Sequence, residues 1–150
     1  EAIDWLTQLV EILAQLHAFK FLHRDIKPPN IMRRDNGQLV LIDFGTVREV
    51  TNTIIRGKDV TIVLSRGYTP LEQLRGQPVT QSDFFSLGRT FVYLLTGQHP
   101  VQLEENAHTG RLNWRSHAPR VSNYLADLID YLMAPYVRER PKDVQVILQR

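Results

Sequence analysis

The sequence predicts a mainly helical α+β fold with short β-hairpins, and three observations predict it. Apolar residues recur at three- and four-residue spacing through residues 2–19, 82–96 and 121–132. The strand-like runs are short and cluster in residues 30–42. An Asn36-Gly37 pair separates those runs, and both residue types tolerate the positive φ of a tight hairpin.

The first helix is expected over Ala2 to Phe19, with Leu6, Leu9, Val10, Leu13, Leu16 and His17 on one face. It runs into the loop beginning at His23. Asn30-Ile31-Met32 and Leu39-Val40-Leu41-Ile42 are the two arms of the hairpin, and Arg33 and Arg34 read as its solvated flank. Residues 48–72 read as irregular, with Thr51, Thr53, Thr61 and Ser65 set among Arg56, Lys58 and Arg66. A helix from about Ser82 to Thr96 follows. Its buried stripe is Phe84, Leu87, Phe91, Leu94 and Leu95, and Gly97 stands where a helix stop belongs. Residues 98–120 are polar and weakly patterned. Val121, Tyr124, Leu125, Leu128 and Leu132 mark another helix ending before Pro135. Pro141 is expected in the first turn of a last short helix carrying Val144, Ile147 and Leu148.

Bulk properties narrow the function classes. At 150 residues the chain fits one domain, and such a domain can bury roughly 70% of its unfolded surface. A hydrophobic fraction of 43% and a charged fraction of 23% belong to an ordinary folded protein. The net charge of +2 gives no reason to expect nucleic acid as a partner. With no cysteine, disulfides and thiolate metal sites are excluded, which is compatible with a reducing cytoplasm. No apolar run approaches the ~18 residues of a membrane span, so no membrane contact is expected of this segment. The chain starts directly in helix-like sequence without a signal peptide, so it is expected to be cut from something longer. His17, His23, His99, His108 and His117 lack ligand spacing, and metal binding by histidine is not expected.

Chemistry concentrates in His23-Arg24-Asp25-Ile26-Lys27-Pro28-Pro29-Asn30, followed by Asp43-Phe44-Gly45. The order supplies a carboxylate, an ammonium, an amide oxygen and a second carboxylate. Any one of these residues alone could be part of a capped turn. The five-residue step from Asp25 to Asn30, followed by Asp-Phe-Gly, makes chance a poor explanation. Phosphoryl transfer from ATP to a hydroxyl needs this equipment: a base, a cation for developing charge and hard oxygens for Mg²⁺.

These two stretches resemble the catalytic and magnesium loops of the protein kinase family, in its serine/threonine branch. The resemblance implies the large, C-terminal lobe of a kinase fold. It implies Asp25 as catalytic base, Lys27 at the transferring phosphate, and Asn30 completing the catalytic set. Lys27, Asn30, Met32 and Asp43 would contact ATP, with Met32 as the floor of the adenine pocket. Asn30 and Asp43 would hold Mg²⁺. Gly67-Tyr68-Thr69-Pro70-Leu71-Glu72 is similar to the end of an activation segment, although the family's Ala-Pro-Glu is here Pro70-Leu71-Glu72. Ser65 stands where the family has a threonine bonded to the catalytic Asp and Lys. Asp83 resembles the buried acid that accepts backbone N–H groups of the catalytic loop. Arg140 resembles the partner of the closing Glu72, and His23 is implied to pack beside Phe44. Arg24 would receive an activation-segment phosphate, with Thr53, Thr61 and Ser65 as candidate acceptors, the alternative being unregulated surface threonines. The texture of Asp-Phe-Gly-Thr-Val-Arg and Leu-Thr-Gly-Gln-His-Pro is similar to bacterial members, cyanobacterial ones among them.

The front of the family pattern is missing. The eight glycines, at 37, 45, 57, 67, 76, 88, 97 and 110, build no G-x-G-x-x-G. The four lysines, at 20, 27, 58 and 142, include none in a Val-Ala-Ile-Lys-like strand. Residues 1–150 are therefore expected to be a C-lobe whose partner is the missing N-lobe, or the remainder of a parent chain. The expected substrate is a protein Ser or Thr, in the cytoplasm, and the isolated segment is expected to be inactive. The alternative is a non-catalytic lobe acting as a protein-binding or regulatory module.

Overall fold

The computed structural model describes residues 1–43, 48–49 and 65–150. Helix α1 (Ala2–Ala18) buries Leu6, Leu9, Val10 and Leu13, the expected face. Two two-stranded antiparallel ribbons follow. Strand β1 (Phe21–Leu22) pairs with β4 (Arg48–Glu49), with Phe21 opposite Glu49. Strand β2 (Ile31–Arg33) pairs with β3 (Leu39–Leu41), placing Met32 opposite Val40. The hairpin turn takes positive φ only at Gly37 (86°), while the Asn36 side chain accepts from the Gln38 N–H at 3.0 Å. Arg33 and Arg34 are exposed, as expected of a hairpin flank.

Helix α3 (Thr80–Thr96) is the centre of the molecule. Every residue from Ser82 to Val92 is buried, so this helix is surrounded rather than amphipathic. It starts two residues before the expected Ser82, because the Ser82 hydroxyl is the N-terminal cap partner of the Val79 N–H at 2.9 Å. Gly97 ends it in the left-handed conformation at φ 69°. The expected stripe holds at Phe84, Leu87 and Phe91 but not at Leu94, which is 38% exposed.

Helix α4 (Asn123–Leu132) is capped by Ser122 and packs along α3. Gly88 makes the approach possible: a Cβ there would meet the Met133 Cβ at 2.9 Å and the Ile129 carbonyl at 3.2 Å. Helix α5 (Val144–Leu148) is capped by Asp143, so Pro141 lies before its first turn rather than in it. A short helix α2 (Leu71–Leu74) and the β1–β4 ribbon are not expected from the sequence pattern. Their stability comes from tertiary contact, which no local periodicity records. The polar stretch 98–120 is anchored by Trp114, 1% exposed, whose indole N–H donates to Asp130 Oδ1 at 2.7 Å. About half of the described residues are helical and the strands among them are few and short, in agreement with the expected fold class.

Candidate active site

The loop between β1 and β2 is held from beneath by one buried carboxylate. Asp83, 1% exposed in the first turn of α3, accepts the His23 N–H at 3.0 Å on one oxygen and the Arg24 N–H at 2.9 Å on the other. His17 Nε2 lies 2.8 Å from Asp83 Oδ2 and completes its coordination. The Gln73 side chain, 2% exposed, donates to the Arg24 carbonyl at 2.7 Å. These contacts hold Arg24 at φ 71°, a left-handed conformation that costs a non-glycine residue about 1 kcal/mol or more. The strained backbone is where Asp25 leaves the loop.

His23 is wholly buried and acts through backbone groups. Its Nδ1 accepts the Asp25 N–H at 3.2 Å, so the proton sits on Nε2, which donates to the Ile42 carbonyl at 3.0 Å. The Ile42 N–H in turn donates to the Asn30 carbonyl at 2.8 Å. Ile42 is thus gripped from both sides, and this grip places the next residue, Asp43. Asp43 is exposed and sits at φ 64°, a second strained position at the site. Phe44, implied to pack beside His23, lies outside the described residues, as do Gly45, Thr53 and Thr61.

Three polar side chains, from Ser65, Lys27 and Asn30, meet around Asp25, which is 6% exposed. Ser65 Oγ donates to Asp25 Oδ1 at 2.5 Å, and Lys27 Nζ donates to Ser65 Oγ at 3.0 Å. The Lys27 ammonium lies 3.6 Å from Asp25 Oδ2. Asn30 directs its amide nitrogen at the Asp25 carbonyl (2.8 Å) and at Asp25 Oδ2 (3.2 Å). The expected bridge through Ser65 is present, and it crosses 40 residues of sequence. Lys27 is partly exposed, so its ammonium borders both the carboxylate and solvent. Met32 stands 56% exposed on β2, beyond Asn30.

The donor set fits a hard divalent cation. Asn30 commits its amide nitrogen to Asp25, which turns its amide oxygen to the opposite side. Asp43 offers an exposed carboxylate one residue past the Ile42 that is tied to Asn30. Magnesium takes few protein oxygens and completes its shell with phosphate and water.

The segment after Ser65 is closed by the predicted ion pair. Arg140 Nη1 donates to Glu72 Oε1 at 2.6 Å and Nη2 reaches Oε2 at 3.4 Å. The Ser82 hydroxyl also donates to Glu72 Oε1, at 2.8 Å. The displacement of proline in Pro70-Leu71-Glu72 therefore leaves the closing acid in place.

The family model described as protein kinase domain matches residues 1–150. The chain belongs to the protein kinase family. Members of that family generally use ATP and Mg²⁺. This kinase chain is 43% identical to serine/threonine-protein kinase PknA of Nostoc sp. over 142 residues, which are 91% of the chain and 25% of that relative. It is 40% identical to serine/threonine-protein kinase C of Synechocystis sp., over 91% of the chain and 26% of the relative. Kinase B of Synechocystis sp. is 37% identical over 97% of the chain and 26% of its own length. The chain thus spans about a quarter of the curated relatives it matches. The likeness supports a bacterial-type serine/threonine kinase. Among the described residues no helix is long and apolar enough to cross a membrane.

Three residues that brace the candidate site escaped sequence reasoning. His17 reads as one more position on the apolar face of α1, Gln73 falls just past the irregular stretch with no role assigned, and Ser82 reads as an approximate helix start. The one local clue is the polar character of His17 on an otherwise apolar stripe.

Proposed function

We propose that this chain is the large catalytic lobe of a serine/threonine protein kinase, which transfers the γ-phosphoryl group of ATP to a protein Ser or Thr hydroxyl. The observation that carries the reading is the bridge from Asp25 through Ser65 to Lys27, at 2.5 and 3.0 Å. It holds a carboxylate and an ammonium on one hydroxyl.

In this reading Asp25 orients the acceptor hydroxyl. Each of its oxygens already accepts one protein hydrogen bond and keeps a lone pair for the substrate. Asp25 takes the hydroxyl proton as the acceptor oxygen bonds phosphorus and the ADP oxygen leaves with its electron pair. Lys27 offsets the charge that develops on the transferring group. Asn30 and Asp43 would hold Mg²⁺, which when bound supplies the positive charge that keeps the phosphate oxygens in line. Met32 would form the floor under the adenine. A glycine-rich small lobe, with its own lysine, would cover the phosphates, and a cytoplasmic protein would be the acceptor.

The test is phosphate transfer from labelled ATP by the full-length protein carrying this segment. Asp25→Asn keeps the shape of the side chain and removes the base, and should lower the rate on the order of 10²–10⁴-fold. Undiminished turnover by that variant would remove Asp25 from the role of base.

A further inference from the structure

The backbone from Ser65 to Thr69 is fixed on every side. The Tyr68 and Thr69 N–H groups donate to the Ser65 carbonyl at 2.9 and 3.1 Å, and the Ser65 N–H donates to the Thr69 hydroxyl at 2.9 Å. The Ser86 hydroxyl donates to the Tyr68 carbonyl at 2.7 Å. Tyr68 is buried and meets the His99 ring edge-on at 5.1 Å. Gly67, at φ 89°, lies so close to the loop after α3 that a Cβ would come within 3.0 Å of both His99 and Val101 side chains. These contacts fix the backbone of the turn on which the exposed Arg66 side chain is carried.

On that rigid turn, between Ser65 and Gly67, stands Arg66. It is exposed, and its guanidinium makes no hydrogen bond or ion pair among the described residues. The three buried arginines behave otherwise: Arg89 pairs with Glu105, Arg140 with Glu72, and Arg24 lies inside the loop. Arg66 is also close to the chemistry. Consecutive Cα atoms are about 3.8 Å apart, and the side chain of its neighbour Ser65 touches both Asp25 and Lys27. An acceptor hydroxyl at Asp25 would bring its flanking residues past this cation.

We infer that Arg66 is a specificity-determining residue, which selects substrates carrying an Asp or Glu within two residues of the acceptor Ser or Thr. The inference rests on the kinase reading of the Asp25 site. Its physics is a charge pair at a partly screened surface, which favours the acidic partner and penalises a basic one. Because the turn is pinned, the cation is presented without a cost in backbone order.

The test compares the full-length wild type with Arg66→Glu and Arg66→Lys on paired Ser peptides that differ only in acidic or basic residues beside the acceptor. Wild type should favour the acidic peptide in kcat/KM, Arg66→Lys should keep that preference, and Arg66→Glu should reverse it. The acidic-to-basic ratio should change on the order of tenfold between wild type and Arg66→Glu. Peptide binding by fluorescence anisotropy, without nucleotide, is measured in parallel on the same proteins. If wild type transfers no phosphate, the kinase reading fails, and the anisotropy ratio still decides the role of Arg66. A ratio in both assays that ignores the charge at position 66 overturns the inference.

Discussion

Replacing Glu72 by Gln isolates the buried ion pair that closes the segment after the active site. The Arg140 side chain has no solvent exposure, and Glu72 retains 16%. All five guanidinium N–H positions are directed at protein acceptors: Glu72, the Ala134 carbonyl at 2.6 Å, the Gln81 carbonyl at 3.1 Å and the Pro135 carbonyl at 3.0 Å. The guanidinium also stacks on Phe85 at 4.9 Å. Glu72→Gln preserves volume and one acceptor oxygen but leaves a buried cation facing neutral groups only. Breaking a buried pair from one side costs about 3–5 kcal/mol, because the remaining charge has lost its hydration and its counterion together. For a domain of this size that is a fall in Tm of roughly 10 °C. Calorimetry or circular dichroism of the protein reads the shift directly. A double-mutant cycle with Arg140→Met should show a coupling of about 1–3 kcal/mol, since removing the cation removes the penalty. A loss below about 1 kcal/mol for Glu72→Gln, or strict additivity with Arg140→Met, would refute the argument that this pair is a desolvated charge unit.

Two further outcomes follow from the packing. Gly88→Ala should lower the urea midpoint by the equivalent of about 1–3 kcal/mol, because the new methyl meets Met133 at 2.9 Å and forces α3 and α4 apart; a stabilised variant, gaining only helix propensity, would contradict the close approach. The Tyr68 phenol is pushed up to about 12, first by burial and then by the neighbouring Tyr93. A folded-state value above the unfolded 10.0 means its contribution is complete below pH 10 and lost as pH rises through about 12. Unfolding measured across that window should show an alkaline loss that Tyr68→Phe reduces; parallel loss in both proteins would exclude Tyr68 as the source.

The legible part of the molecule was the part written in local spacing. Asp25, Lys27 and Asn30 lie within six residues, so their order and loop placement can be read from the chain. The apolar faces of α1 and α4 and the stop at Gly97 follow from helix periodicity and from the freedom of glycine at positive φ. What remained hidden depended on partners distant in sequence. His17 has no reason to be polar until Asp83, 66 residues away, arrives beside it at 2.8 Å. Leu94 matches the apolar period of α3 yet faces outward, because it lies past Val92, where the surrounding structure stops covering the helix.

Sequence by itself determined the functional groups available here: a carboxylate, an ammonium, an amide, a second carboxylate and the residue types to brace them, in a kinase-like order. Tertiary structure alone decided how they are held. One buried carboxylate, Asp83, accepts two loop amides and His17, and that network sustains a left-handed Arg24 which no local preference would choose. Its physical reason is cooperative satisfaction of buried polar groups, which exists only once helix α1, helix α3 and the loop are packed together.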